Sequence, residues 1–80
     1  MRERNSDPQA VFERAAERLK LTGRRREIGK HYFLGRSGKE TRCLAKVPEG
    51  TMKRDLVSLH GLLGTSSRAE FVHRIYEIGA

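Results

Sequence analysis

Cys43, His31, His60 and His73 are the side chains of this chain best suited to hold a soft metal ion or assist a nucleophile. No two of them fall at a recognised ligand spacing, so no metal site is expected. Cys43 reads as a small core residue, and His60 and His73 as half-buried histidines beside apolar helix stripes. Gly35-Arg36-Ser37-Gly38 is too short to cradle a phosphate and reads as a turn. With no nucleophile motif and no carboxylate pair, neither catalysis nor a cofactor is expected. The chemistry that remains is cationic. Lys and Arg number 17 against 10 Asp and Glu, a formal net charge of +7 and a pI near 10.3. Such a balance favours a polyanionic partner. Arg24, Arg25 and Arg26 stand in a row, where they read either as a phosphate clamp or as a solvated basic loop.

The frame that must position these charges is small. Eighty residues with 36% hydrophobic and 34% charged content escape the disordered class but leave a core that a partner subunit is expected to complete. One cysteine cannot form an internal disulfide, which points to a reducing, cytoplasmic setting. No apolar run approaches membrane-spanning length, and Met-Arg-Glu-Arg-Asn does not read as the opening of a signal peptide. Residues 1–30 hold nine of the Lys/Arg and five of the Asp/Glu, so the excess charge is concentrated early.

Residues 1–6 read as a disordered arm, and residues 7–40 as a basic extension of helix and turn. Asp7-Pro8 starts a helix over 8–21, with a carboxylate cap and proline at the first position. Val11, Phe12, Ala15, Ala16 and Leu19 form its apolar stripe, and Thr22-Gly23 closes it. His31–Leu34 is a short β-favouring run. Thr41 to Val47 alternates, with Thr41, Cys43, Ala45 and Val47 on one face and Arg42, Leu44 and Lys46 on the other. That period of two predicts a strand ended by Pro48. Pro48-Glu49-Gly50 opens a second long helix, whose stripe of Met52, Leu56, Leu59 and Leu63 is widened by Val57 and Leu62 and stopped by Gly64. Ser67 and Glu70 form a capping box for a last helix with Phe71, Val72, Ile75, Tyr76 and Ile78 on its apolar face, ending at Gly79.

The strand leading into Val47-Pro48-Glu49, the helix ending Leu62-Leu63-Gly64, and Ser67-Arg68-Ala69-Glu70-Phe71-Val72-His73-Arg74-Ile75 together resemble a ribbon-helix-helix domain over residues 41–78. This is the Arc, MetJ and CopG class of DNA-binding repressors. The resemblance implies a mainly α fold with a short β element, built as an intertwined homodimer whose paired strands lie in the DNA major groove. By the same resemblance Arg42, Leu44 and Lys46 read bases, while Ser66, Ser67 and Arg68 hold a backbone phosphate. The overall charge, not the resemblance, adds Arg24, Arg25 and Arg26 as a further phosphate clamp. Helix-turn-helix patterns fit residues 56–78 less well. With Gly64 as the turn glycine, Glu70 takes a position that needs a buried aliphatic, and Val72-His73 breaks the spacing of a LuxR-type recognition helix.

The function expected on this basis is sequence-specific binding of double-stranded DNA by a small repressor or accessory factor of a plasmid, phage or mobile element. Pairing of 31–34 with 41–47 would instead give a monomeric α-β-β-α-α module that binds a protein, as a phage-type inhibitor does, or RNA. A toxin-wrapping antitoxin fits less well, because the extension is N-terminal. A homodimer is expected in the first case and a monomer in the second.

Overall fold

In the computed structural model, which describes residues 7–80, the chain folds into five helices: α1 (Pro8–Leu19), α2 (Gly23–Phe33), α3 (Gly38–Ala45), α4 (Glu49–Leu63) and α5 (Arg68–Gly79). The expected arm over 1–6 lies outside the described residues. No strand occurs among the described residues, which overturns the ribbon-helix-helix and α-β-β-α-α readings alike. His31–Leu34 is the end of α2 rather than a strand, and Thr41–Val47 is helix and turn. The strand pairing on which an intertwined homodimer depends therefore has no counterpart here.

The local reason lies at Ser37. Its hydroxyl accepts from the Glu40 backbone N–H at 3.1 Å, and the Glu40 carboxylate accepts from the Ser37 backbone N–H at 3.1 Å. This capping box satisfies two orphan donors and starts α3, and it outweighs the alternation that follows. In the helix, Thr41 and Ala45 share the inward side at i and i+4, while Cys43 and Leu44 face out. Cys43 is thus an exposed thiol and not a core residue.

α1 ends sooner than the spacing predicts. Lys20 takes the left-handed conformation at φ 60° and closes it, so Thr22 is the N-cap of α2 and not the end of α1. Arg24, Arg25 and Arg26 then occupy the first turn of a helix, where its dipole disfavours cations. Two of the three are neutralised by other helices. Arg24 makes a two-pronged pair with Asp55 of α4 at 2.6 and 3.3 Å, and Arg26 pairs with Glu13 of α1.

The core is a single cluster centred on Val11, Phe12, Ile28, Leu59, Phe71 and Ile75. The α1 stripe lies inside it as the spacing predicts, with Val11, Phe12, Ala15 and Ala16 fully buried. α1 packs most closely on α5, and α2, α3 and α4 all touch one another. Small residues set the closest approaches. Gly29 lies against Leu59 and Phe12, where even a methyl group would sit only 3.4 Å from each. Arg14 Nε donates to the Gly79 carbonyl at 2.6 Å and Arg18 donates to the Ile78 carbonyl, capping the C-terminal end of α5.

Candidate nucleic-acid interface

α3 and α4 form a helix, a three-residue turn and a second helix. Lys46 closes α3 at φ 60°, the Val47 backbone N–H donates to the Arg42 carbonyl at 3.1 Å, and Pro48 caps α4. Proline fits this place because the first amides of a helix have no internal partner. α2 supports the pair from behind, through Ile28 and Gly29 against Leu59 and through the Arg24–Asp55 bridge. Arg24 is held above its ordinary pKa by the hydrogen bond and charge of Asp55.

α4 is divided lengthwise. Met52, Asp55, Leu59 and Leu63 are buried, whereas Gly50, Lys53, Arg54, Val57, Ser58 and Gly61 are exposed. The latter recur at i, i+3, i+4, i+7, i+8 and i+11, a continuous open stripe on one side of the helix. Val57 and Leu62, expected to widen the buried stripe, are exposed by 73% and 53%. The packed face is narrower than predicted, comprising Met52, Asp55, Leu59 and Leu63 with Leu56 at its margin.

A row of cations adjoins this stripe. Lys39, Arg42 and Lys46 recur at i, i+3 and i+7 of α3 and the turn, and line a shallow groove with Cys43, Val47 and Pro48. At the start of α4, Glu49 binds Lys53 at 3.1 Å. The hydrogen bond from Lys53, then its charge and that of Arg42, hold the Glu49 carboxyl below its ordinary pKa. Arg54 makes no hydrogen bond or ion pair among the described residues. The surface therefore carries Lys39, Arg42, Lys46, Lys53 and Arg54 against the exposed acids Glu40 and Glu49.

The residues singled out in the sequence are dispersed. Arg42 and Lys46 belong to this surface, but they stand on a helix and its end, so a strand ribbon cannot carry them into a groove. Leu44 lies on α3 outside the cation groove. Arg25 is exposed in the first turn of α2. Ser66 is engaged at both its amide and its hydroxyl by Glu70 Oε1, at 2.8 and 3.1 Å, and Ser67 Oγ accepts from the Glu70 amide. A carboxylate thus occupies the place where a phosphate was expected, and the Ser66 amide hydrogen bond is the largest cause of the lowered Glu70 pKa. Arg68 lies 4.4 Å over the Tyr32 ring and donates to the Arg36 carbonyl at 3.0 Å.

Lys53, Arg54 and Val57 were missed. The available signal was the complement of the apolar stripe on α4, together with the Ser37–Glu40 capping box. The remaining polar cluster ties helices together away from this stripe. Tyr32 Oη is 2.9 Å from His60 Nε2, and His60 Nδ1 is 2.6 Å from Thr65 Oγ1. His60 is half-buried and satisfied, as expected, while His73 is exposed and pairs only with Glu77.

Arg36 Nη1 lies 3.0 Å from His31 Nδ1. Arginine only donates, so this bond requires an unprotonated Nδ1. Burial, then the charges of Arg36 and Lys30, push the His31 pKa below its ordinary value, against the opposing pull of Glu27. The unfolded chain takes up this proton near pH 6.5 and the folded chain only at lower pH. Stability is expected to be complete above that value and to fall as pH drops from about 7 to 5, by at most about 1.4 kcal/mol per pH unit for one group. Chemical denaturation of the wild type and of His31→Gln across this range checks it. The variant should show the shallower slope.

Compared with protein-family models, with curated proteins and with solved structures, the chain has no match. No described helix is long and apolar enough to cross a membrane.

Proposed function

We propose that the protein binds double-stranded DNA by inserting the exposed stripe of α4 into the major groove. In this reading the cation row of α3 runs along the phosphate backbone. The observation that carries it is the union of two features on one surface: a short helix, tight turn and longer helix, and five cations facing solvent from that unit. B-form DNA accepts a helix in its major groove, and the first helix of such a pair crosses the backbone. The deep, narrow major groove of A-form RNA does not admit a helix. Gly50, Ser58 and Gly61 add little bulk to the stripe, which suits close approach to base edges. Lys53 and Arg54 supply donors for guanine O6 and N7.

The test is selection from a random-sequence DNA duplex pool, followed by anisotropy titration of the selected duplex. Arg54→Ala is expected to cost about 1–3 kcal/mol on that duplex and to relax preference at one base pair. Equal affinity of the variant and the wild type for selected and random duplexes would overturn the reading. Tighter binding to an RNA duplex than to DNA would overturn it as well.

A further inference from the structure

The α4 stripe is polar or small at every position except one. Val57 is exposed over 73% of its surface, one helical turn beyond Arg54 and flanked by Ser58 and Gly61. A β-branched side chain has one strongly favoured rotamer in a helix, so its two methyl groups are held in a fixed position. Exposure of this kind adds nothing to the core and is neutral at best for helix propensity. Lys53 is tied to Glu49 at 3.1 Å, which leaves Arg54 as the cation of the stripe without an ion pair among the described residues.

Resting on the DNA-binding reading above, we propose that Arg54 and Val57 read two neighbouring base pairs, a guanine and a thymine. Arg54 donates to guanine O6 and N7, and Val57 packs on the thymine 5-methyl group. The spacing fits. Three residues advance about 4.5 Å along a helix axis, close to the roughly 3.4 Å between successive bases on a strand. The thymine methyl is the one apolar group that a base pair presents in the major groove, so an aliphatic side chain fixed among donors selects it. A protein partner fits this surface less well. The cores of protein interfaces are poor in lysine, whereas Val57 lies one turn from both Lys53 and Arg54.

The experiment uses the selected duplex, with each thymine replaced in turn by deoxyuridine and each guanine by 7-deazaguanine. Affinities are measured for the wild type, Val57→Ala and Arg54→Ala. At one thymine the deoxyuridine duplex should bind the wild type about four-fold more weakly, the equivalent of one buried methyl group. Val57→Ala should bind both duplexes equally. The base pair beside it should hold the guanine at which 7-deaza substitution weakens the wild type but not Arg54→Ala. If every thymine tolerates deoxyuridine while Arg54→Ala still loses affinity, the thymine assignment fails and the DNA-binding reading stands. If neither variant differs from the wild type on any duplex, both fail. Val57 is on the surface, so its replacement leaves the fold intact, and an unchanged thermal melt verifies this.

Discussion

Replacing Lys39, Arg42 and Lys46 together by alanine is expected to weaken binding to all DNA duplexes alike, on the order of 10²–10³-fold near 0.1 M salt. Each phosphate contact that is lost removes about 0.9 from the slope of log K against log salt, so the slope should flatten by between two and three. The three residues lie on one side of α3 and its turn and line a single groove. Their loss should therefore act on the backbone and leave the order of preference among sequences unchanged. None of the three is buried, and surface changes of this type stay within about 0.5 kcal/mol of the original stability. Anisotropy titrations over a salt series, with a thermal melt beside them, separate the two effects. A loss confined to the selected sequence would place these residues on base edges instead.

Gly79→Ala is expected to be the most damaging glycine-to-alanine change in this chain. A Cβ at that position would lie 2.1 Å from the Val11 carbonyl oxygen and 3.1 Å from the Ala15 amide nitrogen. Both are main-chain atoms of α1, so no rotamer change relieves the clash. α5 must move away from α1, and in moving it loosens the bonds from Arg14 to Gly79 and from Arg18 to Ile78. Overpacking of this kind costs about 1–3 kcal/mol, which in a domain of this size lowers the melting temperature by on the order of 10 °C. Thermal unfolding of the variant checks it. An unchanged melt would mean that the last turn of α5 contributes little to the fold.

The parts of the fold that were legible in the sequence are those where burial and capping agree. The stripe of α1, the long α4 with Gly64 at φ 71°, and α5 with Ser67 as its cap all follow from residue spacing. The middle of the chain was not legible, for two physical reasons. Arg24, Arg25 and Arg26 at a helix start contradict the dipole rule, and only Asp55 and Glu13, distant in sequence, compensate two of them. Between Thr41 and Val47 the expected inner face of Thr41, Cys43, Ala45 and Val47 is small, so the period of two carried little burial energy. The Ser37–Glu40 box follows the same pattern that correctly marked Ser67 and Glu70, and it was the stronger evidence. The candidate site inherited this error. A helix-turn-helix was weighed around Gly64, where a short turn does join α4 and α5, but not around the three-residue turn Lys46–Pro48 between α3 and α4. Arg42 and Lys46 were recognised as facing outward, but on a strand rather than on α3 and its end.

Insertion of α4 into the major groove is read by chemical footprinting of the selected duplex. Dimethyl sulfate methylates guanine N7 in the major groove and adenine N3 in the minor groove. The wild-type protein should protect at least one guanine N7, Arg54→Ala should restore its reactivity, and adenine N3 should react as in free DNA. A specific complex that shields adenine N3 and leaves every guanine N7 open would contradict that insertion.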